Sequence, residues 1–380
     1  MIETGPIILD IAVVLIVAGF MGFVARKLRL PAIVGYLFTG LLVSPFTPGY
    51  VTDSEQISLL ADIGVAILLF EVGIEIDLRR ITRDQKSLLW SPPLQVLFGL
   101  FGGTAILHYG FDISLFGSLL ISLSIAMSSS VVIVNITRSH RRTTNPATEE
   151  ALLGWSILQD LAGVTAAGVI LAIFRGNDEP IFTGLLKLVG FGLLAIFSAQ
   201  VMKTVLRQVR WEKDLFLIYS VSIGLLLSGI GAVVFEVPVA LAAFVSGLVI
   251  NQNPDTEEVR KSLLPFRDLF AVFFFVVVGS LIKFANFKEA LPYVALFLGA
   301  IVLLKTLPVY VLAKLSSIKA KPLQLGIGLS QIGEFSYVLG GLALARGAID
   351  EVQFTALIFV LIASIVLSTL LVRLQSFSKN

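Results

Sequence analysis

Runs of apolar residues alternate with short polar segments along almost the whole chain of 380 residues. Most runs contain 17 to 28 residues, and about 20 residues of helix cross a hydrocarbon core of about 30 Å. The pattern predicts an all-α polytopic membrane protein with about 13 transmembrane helices. These helices are predicted at residues 7–24, 31–47, 56–76, 88–108, 113–136, 147–174, 181–202, 214–234, 237–251, 264–282, 290–313, 322–345 and 352–374.

The charges of the loops indicate the orientation of the chain. The loops after odd-numbered helices, together with the C-terminal tail, carry 22 Lys and Arg residues, whereas the opposite loops carry four. Because basic residues accumulate on the cytoplasmic side, the N-terminus is predicted outside and the C-terminus in the cytoplasm. The segment before the first helix lacks the basic residues of a signal peptide, so this helix is expected to be retained. The two remaining basic residues, Lys187 and Lys305, fall inside predicted helices.

Composition agrees with a membrane protein and excludes several other classes. Hydrophobic residues make up 56% of the chain and charged residues 14%, compared with about 25% charged residues in soluble domains. The basic excess lies in loops, so no nucleic-acid partner is predicted. Cysteine is absent, and His108 and His140 are the only histidines, so neither a thiolate or histidine metal centre nor a Ser-His-Asp triad is expected. No cofactor is predicted.

Two predicted helices contain small and polar residues at their centres. Glycine and hydroxyl residues weaken a helix and can satisfy freed backbone groups, so two broken, crossing helices are predicted. The open alternative is close packing between helices, which uses the same residue types. The residues concerned are Ser122, Ser124 and Ser128–Ser130 in the fifth helix, and Gly326, Gly328, Ser330, Gln331, Gly333 and Glu334 in the twelfth.

The spacing of the two interrupted helices predicts an internal repeat. They are seven helices apart, and an odd offset reverses the direction in which the chain crosses the membrane. The chain is therefore interpreted as one transmembrane domain, 1–380, with a first inverted-topology repeat at 1–174, a linker helix at 175–213 and a second repeat at 214–380. In transporters of this design the ion site lies at the midplane, beside the broken helices.

Asp160 lies near the middle of the sixth predicted helix, beside Gln159. An ionised carboxylate at the bilayer centre costs about 2.5–3.5 kcal/mol, so such residues mark ion pathways or proton relays. Asp160, the amide oxygen of Gln159 and the hydroxyls of Ser128, Ser129 and Ser130 offer hard oxygen ligands, which suit an alkali cation. The sequence therefore predicts one site that holds a proton and an alkali cation in turn. The alternative is a structural hydrogen bond between helices.

Lys305 and Glu334 lie at a depth similar to that of Asp160. Lys305 is predicted to be the charge partner of Asp160, and Glu334 is a third ionisable residue at this depth. The structural alternative is that Lys305 pairs with Glu334 or Asp160 only to neutralise a buried charge.

Glu71 and Glu75 lie in the last turns of the third predicted helix. They are expected to be solvated or paired with Arg79 and Arg80. Lining a cation funnel is the alternative.

Five motifs resemble one known family. They are AMSSS at 126–130, SILQDLA at 156–162, ALAAFVSGL at 240–248, PFRDLF at 265–270 and LSQIGEFS at 329–336. Together they resemble the second family of monovalent cation:proton antiporters, particularly its Kef-type potassium branch, over nearly the whole chain. The resemblance implies the sodium/proton antiporter fold, a homodimer in a membrane that we expect to be a prokaryotic plasma membrane, and elevator-like alternating access with a scaffold and a moving core.

The resemblance also implies roles for individual residues. Gln159 and Asp160 match the Kef-type Gln-Asp pair, Lys305 the basic residue of the eleventh helix and Glu334 the acid of the broken twelfth. A single carboxylate where relatives have two implies electroneutral exchange of one K⁺ or Na⁺ for one H⁺. The sequence ends soon after the thirteenth helix, so we expect no C-terminal nucleotide-binding domain, which leaves room for a separate cytosolic regulatory subunit.

Three other functional classes are alternatives to antiport. A gated K⁺ channel is the first, but the sequence lacks a Thr-Val-Gly-Tyr-Gly filter. A sodium-coupled symporter of organic anions on a similar inverted-repeat fold is the second. An intramembrane enzyme is least favoured, because the sequence has no second midplane Asp, no His-Glu-x-x-His and no phosphate-binding Gly-rich loop.

Overall fold

The computed structural model describes residues 4–28, 30, 32–44, 54–75, 86–129, 132–133, 145–174, 181–209, 211–237, 239–251, 256–280, 286–316, 318–333 and 335–377. The regular elements in these ranges are helical. They are α1 Thr4–Lys27, α2 Ala32–Leu42, α3 Ser54–Glu75, α4 Ser91–Phe111 after a 3₁₀ turn at Lys86–Leu89, α5 Leu115–Ala126, α6 Pro146–Ile173, α7 Ile181–Val209, α8 Lys213–Val233, α9 Val239–Asn251, α10 Thr256–Ser280, α11 Phe287–Leu315, α12a Pro322–Gly328, α12b Phe335–Ala345 and α13 Glu351–Phe377.

The described elements follow the predicted order, but several bounds differ: α5 ends at Ala126 and not at 136, α10 begins at Thr256 and not at 264, and the helix predicted at 322–345 is divided into α12a and α12b. Within the described residues, eight helices are long and apolar enough to cross a membrane. The count of thirteen crossing helices is not confirmed, because several elements are short. α2, with 11 residues, is only about 16 Å long at 1.5 Å per residue, about half of a bilayer core.

Both interruptions predicted from glycine and serine are present. α5 ends at Ala126, and Met127 has extended backbone angles, with φ −94° and ψ 144°. In the second case α12a ends at Gly328, and α12b begins only at Phe335. Described residues of these breaks, such as Ser129 and Gly333, direct their backbone N–H groups outside the helical hydrogen-bond ladder, so these groups need other partners.

The chain forms two compact units. The first unit contains Met1–Val24, Gly35–Asp77 and Gly168–Leu281. The second unit contains Ala25–Val34, Leu78–Ala167 and Ile282–Asn380.

Two helix crossings in the first unit depend on glycine. A Cβ atom added at Gly40 in α2 would lie 1.9 Å from the carbonyl oxygen of Val276 in α10. One added at Gly247 in α9 would lie 2.1 Å from the carbonyl oxygen of Phe70 in α3. The two pairs of facing glycines are Gly40 with Gly279, and Gly247 with Gly73. At both crossings the backbones approach more closely than any side chain would permit.

The second unit contains α4, α5, most of α6, and α11 to α13. In its core, Trp155 of α6 packs with buried aliphatic residues of α11 and α12a. α6 also passes close to both helix breaks. A Cβ atom at Gly163 would lie 2.3 Å from the sulfur of Met127, and one at Gly328 would lie 2.7 Å from the Leu152 side chain. The packing of α6 therefore holds Asp160, between Leu152 and Gly163, beside the breaks.

Candidate functional site

The two helix breaks of the second unit bind each other directly. Ser128 Oγ donates a hydrogen bond to the carbonyl oxygen of Leu329 at 2.8 Å. The backbone N–H of Gly333 donates to the carbonyl oxygen of Met127 at 3.2 Å. A Cβ atom at Gly333 would lie 2.9 Å from the carbonyl oxygen of Ser128, so this contact requires glycine. Backbone groups released by one break are thus satisfied by the other.

Gln331 strengthens this contact through its side-chain amide. Its Oε1 accepts a hydrogen bond from the backbone N–H of Ser129 at 2.7 Å, and its Nε2 donates to the carbonyl oxygen of Ser129 at 3.2 Å. The side chain is fully buried. The sequence predicts Gln331 within a helix break but does not predict its partner Ser129, because the two residues are 202 positions apart.

Lys305 lies where the two breaks meet. Its ammonium group donates to the carbonyl oxygens of Met127 and Gln331, both at 2.7 Å, and the side chain is fully buried. It belongs to a π-helical turn, Val302–Thr306, inside α11. π-Helical turns inside α-helices are rare overall, but many of those that occur lie at functional sites. Pro308, which cannot donate a backbone hydrogen bond, was the signal in the sequence for an irregularity here.

Asp160 is buried, with 2% of its surface exposed. It lies near enough to Lys305 for its negative charge to act on the ammonium group. Direct pairing of the two groups stays a prediction. Lys305 also binds a carbonyl of each break. Lys305 therefore interacts with both interrupted helices as well as with the charge of Asp160. The sequence predicts only the interaction with Asp160.

The neighbouring Gln159 is fully buried and has one amide atom available. Its Nε2 donates to Oε1 of Gln95, and Nε2 of Gln95 donates to the carbonyl oxygen of Ala126 at 3.3 Å. Within the described part of the chain, Oε1 of Gln159 has no hydrogen-bond partner. Sequence reasoning missed Gln95, although an amide within an apolar helix is itself a signal of a contact between helices.

The predicted serine ligands have structural contacts as well. Ser129 Oγ accepts a hydrogen bond from the backbone N–H of Val132 at 3.3 Å, and Ser128 Oγ uses its proton at Leu329. Both side chains are buried, and their oxygens retain lone pairs. Ser130 and Glu334 lie outside the described residues.

Glu71 is not part of this site. It lies in the first unit, is 1% exposed, and accepts hydrogen bonds from Arg260 Nε and Arg267 Nη1, each at 3.0 Å. It is therefore paired with α10, because folding places α10 against α3. Arg79 and Arg80, like the side chain of Glu75, are outside the described residues.

The chemistry of the site follows from its atoms. The Asp160 carboxylate and the free Gln159 oxygen are hard ligands for a monovalent cation, and a carboxylate also binds a proton. Lys305 supplies a positive charge where the helix breaks present carbonyl oxygens. Burial keeps bulk water from screening these charges.

Comparison with known proteins identifies the family. The family profile described as sodium/hydrogen exchanger, transmembrane, matches residues 11–374. The chain is 29% identical over 384 residues to the putative cation/proton antiporter YbaL of Escherichia coli (strain K12), covering 97% of this chain and 68% of that protein. Its fold is similar to that of the sodium proton antiporter MjNhaP1 from Methanocaldococcus jannaschii at pH 8, with a TM-score of 0.77 and 17% identity, covering 98% of this chain and 99% of the other. The resemblance predicted from the five motifs is confirmed, and the chain belongs to the sodium/hydrogen exchanger family.

Proposed function

We propose that the protein is a cation/proton antiporter, a secondary transporter rather than an enzyme, which exchanges K⁺ or Na⁺ for H⁺. The observation that carries this proposal is Asp160, a buried carboxylate whose charge acts on Lys305, the residue that donates hydrogen bonds to both helix breaks. Family membership supports it. The names of both relatives, a putative cation/proton antiporter and a sodium proton antiporter, agree with it.

In this mechanism Asp160 binds a proton and a cation in alternation. When Asp160 releases its proton, its carboxylate, the Gln159 oxygen and the oxygens of Ser128 to Ser130 bind the cation. When Asp160 is protonated, its attraction for the cation is lost, and the cation leaves. The empty, charged site does not cross the apolar barrier, because exposing an unpaired carboxylate to lipid is costly. Glu334 is proposed as a further acid of the transport core.

We propose that the two halves of the chain are inverted repeats, 1–174 and 214–380, joined by a linker at 175–213. The glycine crossings support this, because α2 crosses α10 and α9 crosses α3 in the same way. α2 and α9 are mates in the repeat, as are α3 and α10. Ser364 lies at the position in α13 that matches the Gln159–Asp160 pair in α6, and its side chain carries no charge. Its hydroxyl instead accepts a hydrogen bond from the backbone N–H of Ile332 at 3.0 Å.

Elevator-like alternating access is proposed as the transport motion, with the second unit as the part that carries the site. A homodimer in a prokaryotic plasma membrane, with the N-terminus outside and the C-terminus in the cytoplasm, completes the proposal. The loop charges support this orientation.

Electroneutral exchange is proposed because Gln159 cannot carry the second charge that an adjacent carboxylate would add. One proton leaving Asp160 is then balanced by one cation of equal charge. Imposing a membrane potential should therefore leave the rate of exchange unchanged.

Proteoliposomes with an internal pH dye test the proposal. K⁺ or Na⁺ added to a preset proton gradient should move protons with the wild-type protein and with the control Asp112→Asn, whose carboxylate is exposed at the end of α4. Asp160→Asn should abolish exchange. Wild-type exchange by Asp160→Asn would refute the proposal. Cation flux without proton movement would identify a channel, and sodium-driven uptake of an organic anion would identify a symporter.

A further inference from the structure

We propose that Gln95 is a positioning residue of the cation site, which fixes the Gln159 amide with its oxygen towards the cation and its NH₂ group away from it. The inference rests on the proposed function, because it concerns the site of Asp160. It assigns a role to Gln95, a residue of α4 that is not part of any of the five motifs and carries no charge.

The argument begins at the carbonyl oxygen of Ala126. Ala126 is the last residue of α5, and the chain beyond it leaves the helix. A carbonyl oxygen can only accept hydrogen bonds. Gln95 must therefore turn its NH₂ group towards Ala126, which it does at 3.3 Å.

This orientation determines the next amide in the chain of contacts. Because Gln95 directs its NH₂ group to Ala126, its oxygen is the atom available to Gln159. Gln159 donates its own NH₂ group to that oxygen. The remaining atom of Gln159 is Oε1, which is buried and has no hydrogen-bond partner among the described residues. The carbonyl at the end of α5 thus sets the direction of two successive side-chain amides.

The direction matters because an amide can rotate by half a turn with almost no change of shape. Rotation of Gln159 would place its oxygen against the oxygen of Gln95, and would present N–H donors on the side where Oε1 is now free. N–H groups repel a cation that Asp160 attracts. Both glutamines are fully buried, so water cannot replace the lost hydrogen bonds, and the present orientation is the favoured one.

Removing the amide of Gln95 should therefore weaken cation binding more than it slows transport. In Gln95→Met, which keeps a similar unbranched shape, Gln159 loses the acceptor that fixes its direction. Loss of one net hydrogen bond of about 1 kcal/mol corresponds to about a fivefold change. We expect the KM for the cation to rise about fivefold while the maximal rate stays within about twofold.

The experiment measures exchange in proteoliposomes over a series of K⁺ and Na⁺ concentrations. It also measures the rise in melting temperature that each cation causes in detergent, with choline as the reference ion. The proteins are wild type, Gln95→Met, Gln159→Met, the double variant, and the control Gln353→Met, a buried glutamine of α13 whose amide oxygen accepts a hydrogen bond from Asp350. The control should behave like wild type in both assays.

A positioning role predicts that Gln95→Met adds no further loss once Gln159 is Met, because there is no amide left to direct. Additive losses in the double variant, or an unchanged KM in Gln95→Met, would overturn the inference. If Gln95→Met does not fold, Gln95→Asn, which is too short to contact both partners, should show the same rise in KM. Absence of cation response in the wild type would refute the proposed function instead.

Discussion

Replacing Lys305 by Met should separate two roles that the structure gives to one ammonium group. Lys305 is proposed as the counter-charge of Asp160, whose negative charge acts on it. It also donates hydrogen bonds at 2.7 Å to the carbonyl oxygens of Met127 and Gln331, one in each helix break. Methionine has a similar length and no charge, so Lys305→Met removes both contributions without leaving a large cavity.

The magnitude follows from the contacts. Each buried carbonyl that loses its donor costs about 1–3 kcal/mol. Removing one partner of a buried charge pair costs about 3–5 kcal/mol. These two costs overlap, so we expect Lys305→Met to lower the free energy of unfolding by about 3–5 kcal/mol. When Asp160 is already Asn, the charge contribution disappears. The carbonyl oxygen of Met127 keeps the N–H of Gly333 as a donor, but that of Gln331 still loses the Lys305 ammonium group, so at least about 1 kcal/mol should remain.

The assay is reversible unfolding by SDS in mixed micelles, applied to the wild type, the two single variants and the double variant as a double-mutant cycle. Lys314→Met is the matched control, because Lys314 is an exposed residue of the same helix, and it should change stability by less than about 0.5 kcal/mol. If Lys305→Met costs nothing in the Asp160→Asn background, the ammonium group does not hold the helix breaks together, and the reasoning is wrong. If the two substitutions are fully additive, the electrostatic pairing is wrong.

Two further predictions concern the first unit. Glu71→Gln should lower the free energy of unfolding by about 1.5–3 kcal/mol, since it weakens the charged hydrogen bonds to Arg260 and Arg267, while exchange per folded protein stays at the wild-type rate. Lost exchange at unchanged stability would favour the cation funnel. Gly40→Ala should destabilise the protein by at least about 1–3 kcal/mol, because the new methyl group would overlap α10, whereas Gly19→Ala, with no atom within 4 Å, should be neutral or stabilising. Equal melting temperatures for the two alanine variants would contradict this account of the helix crossing.

The positions of the helices and their interruptions could be predicted from the sequence because both depend on local properties. Hydrophobic length decides where a segment crosses the bilayer. Glycine and serine weaken a helix where they cluster, and α5 and the α12 segments end close to such clusters. The burial of Asp160 could be predicted for the same reason, since a lone acid in a long apolar run has no local route to water.

Partner choice could not be predicted from local pattern. Glu71 was expected to pair with the arginines that follow it, but α10 supplies Arg260 and Arg267, 189 and 196 positions away. Gln95 meets Gln159 across 64 positions, and Lys305 reaches Met127 across 178. A sequence fixes the chemical type of each side chain and the helix that bears it. Only the packing of one helix against another decides which buried donor faces which acceptor, because each buried polar group takes its partner from the few that the fold brings within about 3 Å.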